Sequence, residues 1–313
     1  MNNENPGWER QEFSFLPSPR IGGTLIDVNG EIVLFGGVSP SEGNLNEMWK
    51  LNQQEGWNHL SAQIVPTARS FMSLAYYQSQ QSLLLFGGVD NRGLVLGDTW
   101  VFDKEAWLQL NLPVLPSPRA YASMAYDVNR DLIVLFGGYT LGGRVSIPTG
   151  DTWTWNGHEW FQVLPAQSPS PRAGAGMVYD PVQQMLILFG GVGNEGFLQD
   201  TWGWDGSSWI ELMPANRPTA RADMGMAYDV LSQRVILFGG QTLDGFVNDT
   251  WLWDGKDWTR AQPEVVPPLS GSRYPNLAYD PVSQKVIFLS ANIQKSPDGL
   301  VTAQAEIWVW NGN

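Results

Sequence analysis

Few residues in this chain have side chains suited to catalysis or metal binding. It has no cysteine and only two histidines, His59 and His158. Neither histidine has a second His or a Cys at ligand spacing, so no metal site is expected. No thiolate and no disulfide can form. No phosphate-cradling glycine loop, nucleophile elbow or dinucleotide fingerprint occurs, so no cofactor is expected. What remains is Asp223 as an acid or base, with Tyr121, Tyr274 and an arginine as donors. An isomerase, lyase or cyclase could work with that set.

A second set of reactive groups is arranged regularly. Arg20, Arg69, Arg119, Arg172, Arg221 and Arg273 each follow a Pro-containing turn. Six acids recur in step with them: Glu47, Asp98, Asp151, Asp200, Asp249 and Glu306. Two readings stay open. Each arginine could bridge to the acid of its own repeat. The six could instead make an electropositive mouth that binds an anion.

The elements that position these groups are written in a repeat of about 50 residues. Apolar runs end in a double glycine at Gly36-Gly37, Gly87-Gly88, Gly137-Gly138, Gly190-Gly191 and Gly239-Gly240. A sixth copy reads Ile287-Phe288-Leu289-Ser290-Ala291. Next comes an acid followed two residues later by Trp, as in Asp98-Thr99-Trp100, and then a further Trp: Trp57, Trp107, Trp160, Trp209 or Trp258. From that Trp to the next Arg is 12 residues in four of five cases and 15 in the last.

These markers outline four short strands per repeat, rich in β-branched and aromatic residues and bounded by turn formers. Strand a starts at the Arg, b runs into the double glycine, c carries the acid and first Trp, and d carries the second Trp. Asn29-Gly30 is a two-residue hairpin signal between a and b. Asn156-Gly157, Asp205-Gly206 and Asp254-Gly255 give the same signal between c and d. The last repeat lacks its d strand. The chain begins with an orphan, Trp8, 12 residues before Arg20. A strand over about 7–14 is therefore expected to complete the last repeat and close a ring, which pairs both terminal edges.

An apolar run ending in Gly-Gly at this period resembles the kelch repeat, and the likeness covers essentially the whole chain. It implies an all-β fold: a single six-bladed β-propeller over 1–313, with four antiparallel strands per blade and the central-domain architecture of the galactose oxidase superfamily. Expected blades span about 20–62, 69–111, 119–164, 172–213, 221–262 and 273–311. The copper chemistry of galactose-oxidase-like propellers needs a Cys and is excluded here. In kelch propellers generally, the face built from d–a and b–c loops takes the ligand. That implies a peptide, a partner protein or a small, possibly anionic, ligand at the channel mouth. The runner-up is the acid–base enzyme at the same mouth.

Residues that break the repeat are the best guide to that site. Two places after each Arg stand Gly22, Phe71, Tyr121, Gly174, Asp223 and, with one residue fewer in the strand, Tyr274. Tyr139 follows a double glycine where Val is usual. The expected ligand-binding set is therefore Arg69, Phe71, Arg119, Tyr121, Tyr139, Arg172, Arg221, Asp223, Arg273 and Tyr274. Along strand a, alternation predicts that Thr24, Ser73, Ser123, Gly176 and Gly225 face the channel. Met124, Met177, Met226 and the tyrosines Tyr76, Tyr126, Tyr179 and Tyr228 are expected to pack into the blades.

The composition limits the partners. A formal net charge of −13 argues against nucleic acid and anionic membranes. No apolar run approaches the length of about 18 residues that marks a membrane helix. The first ten residues carry no apolar run, so no secretory signal is expected there, and the cytoplasm is the expected compartment. A monomeric propeller is expected.

Overall fold

The computed structural model describes residues 6–103, 105–142, 145–269, 274–295 and 301–312. Six antiparallel four-stranded sheets follow one another around a central channel. Blade 3 is typical, with strands a to d at Ser123–Asp127, Leu132–Phe136, Thr152–Trp155 and Thr152's outer neighbour Trp160–Val163. The innermost strand of each blade touches that of the next, and blade 6 touches blade 1, so the ring is closed. Closure uses Gly7–Gln11, which pairs with Val301–Asn311 in the register Trp8↔Trp310 and completes blade 6. Among the described residues no helix is long and apolar enough to cross a membrane.

The core lies between blades, because strand b sends apolar side chains to both faces of its sheet. Ile133, Val134, Leu135 and Phe136 are all buried, with Ile133 and Leu135 in one interface and Val134 and Phe136 in the next. The d-strand tryptophans fill the outer part of each interface. Four of them also donate Nε1–H to a threonine of the preceding blade: Trp8 to Thr250, Trp160 to Thr99, Trp209 to Thr152 and Trp258 to Thr201. The threonine between the acid and the first Trp thus has a structural role. In blades 1 and 6 that position is Met48 and Ile307. Accordingly the indoles that would reach them, Trp107 and Trp57, have buried Nε1 atoms with no hydrogen-bond partner.

The double glycine is required by space as well as by dihedral angle. Gly87 and Gly88 have φ of 69° and 102°, and a Cβ on Gly87 would lie 2.3 Å from the Arg119 carbonyl oxygen. The chain thus breaks away from strand b where the next blade crowds it. Blade 6 shows the converse. With Ser290-Ala291 in place of glycine, strand b does not break. It runs on over Lys285–Lys295, paired with Val301–Asn311 as a long ribbon.

One sequence expectation needs correcting and one extending. Asn29 and Gly30 both have positive φ and form the predicted two-residue turn between Val28 and Glu31. The c–d turns do not. Trp155 pairs with Trp160 across a four-residue loop, in which Asn156 Oδ1 accepts the amides of His158 and Glu159. Asp205 and Asp254 act the same way, so the side chain caps the loop and only the glycine is left-handed. The expectation for strand a is extended. Ser73 and Ser123 do face the channel, where each donates to a carbonyl of the next blade. Met124, Met177, Met226 and the tyrosines Tyr76, Tyr126, Tyr179 and Tyr228 pack against the blade cores as expected, and they also line the channel. Small residues facing the channel let the neighbouring blade's long side chain through: a Cβ on Gly176 would sit 2.3 Å from the Met226 sulfur.

Candidate functional site

The repeated arginines are part of the scaffold. Arg20, Arg69, Arg119, Arg172 and Arg221 are all buried, and each bridges to its own blade's acid. Arg119 is representative. Its Nη1 and Nη2 meet Asp151 at 2.7 and 2.8 Å, Nη1 also donates to the Gly137 carbonyl, Nε to the Ser117 carbonyl and Nη2 to the Ser117 hydroxyl. The Trp153 indole takes up the same carboxylate at 2.6 Å. Burial alone would raise the pKa of Asp151. The hydrogen bond and charge of Arg119, with the Trp153 bond, outweigh it and hold the carboxyl below its usual range. Asp98, Asp200 and Asp249 are held down for the same reasons. The expectation that Arg69, Arg119, Arg172 and Arg221 line an anion-binding mouth is therefore corrected: their donors are spent inside the blades. Arg273 lies outside the described residues, and its acid Glu306 accepts the Trp308 indole.

The residues two places after each Arg do meet at the channel mouth. A belt of backbone hydrogen bonds links them from blade to blade: Phe71 N to Gly22 O at 2.6 Å, Tyr121 N to Phe71 O, Gly174 N to Tyr121 O, and Asp223 N to Gly174 O. The backbone is left-handed at these five positions and at Tyr274, with φ between 51° and 65°. In this conformation Phe71 and Asp223 lean back over the preceding blade. A Cβ on Gly22 would fall 2.4 Å from the Phe71 ring, and one on Gly174 would fall 2.3 Å from Asp223 Oδ1. Glycine in blades 1 and 4 is therefore the room that Phe71 and Asp223 occupy.

The result is an aromatic closure over the mouth. Tyr121 stacks on Phe71 with centroids 4.1 Å apart and planes at 11°. Tyr274 reaches across to Phe71 edge-on at 5.1 Å and hydrogen-bonds the Tyr121 hydroxyl. Tyr139, bridged to Ala120 through its backbone, lies 5.4 Å from Tyr121. Phe246, from the blade 5 b–c hairpin, lies 6.4 Å from Tyr274. Phe246, one of the variable b–c loop residues, is not in the ligand-binding set expected from the sequence, and the left-handed belt is not expected either. The signal for the belt was present in the alternation of Gly22 and Gly174 with larger residues at one position. The cavity that remains is about 140 Å³, lined by Phe71, Tyr121, Asp223 and Tyr274 among others.

Asp223 is the ionisable centre of this mouth. Burial pushes its carboxyl up to about 7, from an ordinary value of about 3.9. The raised value means that the fold favours the protonated form. Asp223 therefore contributes most to stability below about pH 4, loses that contribution as the pH climbs, and has lost it above about pH 7. Asparagine stays neutral and tolerates the left-handed backbone. The melting temperature of Asp223→Asn relative to the parent is thus expected to improve between pH 4 and 7 and then level off. A difference that stays constant over that range would show an unperturbed Asp223.

Comparison with known proteins agrees with this architecture. The model of the KLHDC2/KLHL20/DRC7 Kelch-repeats domain matches residues 1–160, more than half of the chain. Adagio-like protein 1 of Oryza sativa subsp. japonica is 32% identical over 107 residues, which cover 33% of this chain and 17% of that protein. Adagio protein 3 of Arabidopsis thaliana is 30% identical over 107 residues, with the same two shares. An F-box/kelch-repeat protein of Arabidopsis thaliana is 33% identical over 106 residues, 31% of this chain and 21% of that protein. The matched segments thus span about a fifth or less of these curated relatives. On its six blades, their markers and the family match together, the chain belongs to the kelch-repeat domain family.

Proposed function

We propose that this propeller is a binding module that holds a peptide segment of a partner protein at the mouth built from the d–a and b–c loops. The observation that carries the reading is the left-handed belt. Glycine fills it without strain at Gly22 and Gly174, yet the other four places hold Phe71, Tyr121, Asp223 and Tyr274. A non-glycine residue there costs on the order of 1 kcal/mol or more. The scaffold alone gives no reason to accept that cost, whereas aromatic side chains gathered at one mouth make binding hot spots.

The surroundings support a macromolecular partner. Leu94, Leu141, Val145, Ile147 and Leu243 are exposed on the b–c loops of blades 2, 3 and 5. The charge favours a neutral or cationic segment over an anionic one. The five described arginines of the repeat are neutralised in their blades, while Glu42, Glu195 and Asp244 stand at the tips of b–c hairpins. The acid–base alternative fits less well, because about 140 Å³ is far below the roughly 300–1,000 Å³ of small-molecule sites.

Glycine variants make a clean test, since blades 1 and 4 already carry glycine in the belt. Peptides selected from a displayed library on the parent protein are expected to bind Phe71→Gly and Tyr121→Gly at least ten-fold more weakly. Both variants are expected to melt within a few degrees of the parent. Selected peptides that bind both variants as well as the parent would put the site elsewhere.

A further inference from the structure

The channel has a second, wider opening on the face of the a–b turns, where Asn29, Gly30, Gln78 and Pro281 line it. The cavity behind that opening is about 710 Å³, within the usual size of small-molecule sites. It meets the small mouth cavity at Met72, Ala122, Ala175 and Met224. The aromatic closure lies beyond that point, so the wide end is the open one.

The register of strands a and b shows an asymmetry at this end that the chain order hides. At one level of strand a, five blades carry tyrosine: Tyr76 opposite Leu83, Tyr126 opposite Ile133, Tyr179 opposite Leu186, Tyr228 opposite Val235 and Tyr279 opposite Val286. At the same level blade 1 carries Asp27, opposite Ile32. All six line the cavity, and Asp27 is the one charged side chain that does so among the described residues. Deeper in, the wall is soft: Met72, Met124, Met177, Met224 and Met226. Tyr179 adds a buried hydroxyl with no hydrogen-bond partner.

We propose that this channel binds a small organic cation, an ammonium group on an apolar, aromatic-sized body. The ammonium sits at Asp27 within the tyrosine ring and the body lies among the methionines. A lone carboxylate without a counter-charge selects a cation, and tyrosine faces reinforce that choice. Methionines mould to an apolar body of variable shape. An anionic ligand would find no positive side chain here. The position of the carboxylate is fixed, because Asp27 Oδ1 accepts the Gly30 amide at 2.8 Å. Burial, reinforced by the charge of Asp280 in the neighbouring blade, pushes the Asp27 carboxyl above its usual range, so a bound cation would relieve an unfavourable charge. The site lies at the other end of the channel from the peptide mouth and does not depend on it.

Calorimetric titration with 4-phenylbutylammonium, its neutral alcohol 4-phenylbutanol and the anion 4-phenylbutyrate tests the proposal. The parent is expected to bind one equivalent of the ammonium saturably, the alcohol at least ten-fold more weakly and the anion not at all. Asp27→Asn, which keeps an acceptor for Gly30, is expected to weaken ammonium binding at least ten-fold and leave the alcohol unchanged. Ala125→Phe, which narrows the channel, is expected to abolish both. Phe71→Gly, at the opposite mouth, is expected to change neither. Absence of saturable ammonium binding by the parent, equal affinity for ammonium and alcohol, or indifference to Asp27→Asn would each overturn it. Should Ala125→Phe fail to fold, the near-isosteric Asp27→Asn still decides.

Discussion

Trp8→Ala is expected to lower the unfolding free energy by about 3–5 kcal/mol, the usual cost of removing a large buried aromatic. Trp8 is only 3% exposed. Its ring lies 4.9 Å from Phe238 and 5.4 Å from Trp310, and its indole donates to Thr250 at 2.8 Å. It therefore packs blade 6 against blade 5 from the strand that closes the ring. Losing it leaves a cavity at that seam and an unpaired Thr250 hydroxyl. Trp8→Phe retains much of the packing and loses the hydrogen bond, so a smaller loss is expected. Urea denaturation followed by tryptophan fluorescence would measure both. A loss below about 1 kcal/mol for Trp8→Ala would mean that the ring holds without this strand.

The second large effect is expected at a repeated bridge. Arg119→Ala strands Asp151 among buried groups, and breaking one half of a buried ion pair costs about 3–5 kcal/mol. It also leaves the Gly137 and Ser117 carbonyls short of a donor. Lys50→Ala is the control, because Lys50 pairs with Glu31 at the surface, where both side chains keep substantial exposure. Such a pair contributes about 0–1 kcal/mol and weakens in salt. Thermal melts at low and high salt are expected to show a large, salt-insensitive deficit for Arg119→Ala and a small, salt-sensitive one for Lys50→Ala. Equal deficits for the two would show that the bridge does not hold the blade.

The fold was legible because its signal is repeated six times. Each blade needs the same apolar b strand and the same tryptophans, and five of the six share the same break, so the markers recur at similar spacing. Ring closure was legible for the same reason: Trp8 stands at the d-to-a distance from Arg20. The site was only partly legible. Phe71, Tyr121, Asp223 and Tyr274 stood out because they broke a repeated position, and the structure brings them together. The arginines misled because spacing alone does not say where a long side chain ends. Their guanidinium groups turn inward to the acid, a serine or threonine and the carbonyls around it. Asp27 was hidden for a different reason. Blade 1 has Asp27 where the other blades have tyrosine, and its neighbouring residues do not repeat the Tyr-Asp pair, so only pairing with strand b reveals the level it shares. The long ribbon of blade 6 followed from two substitutions, Ser290 and Ala291, whose consequence depends on backbone dihedrals.

The orphan indoles have a bearing on how such a ring can come apart. Trp57 and Trp107 lie on the two sides of blade 1, facing Ile307 of blade 6 and Met48 of blade 1 where the other seams offer a threonine. A closed circle cannot release one wedge unless both of its flanks let go. Here the two flanks missing the indole bond belong to one and the same wedge. The seam sealed by the chain's own beginning keeps that bond through Trp8 and Thr250. By this one bond, the wedge held least on both flanks is thus blade 1 and not the place where the ends of the chain meet.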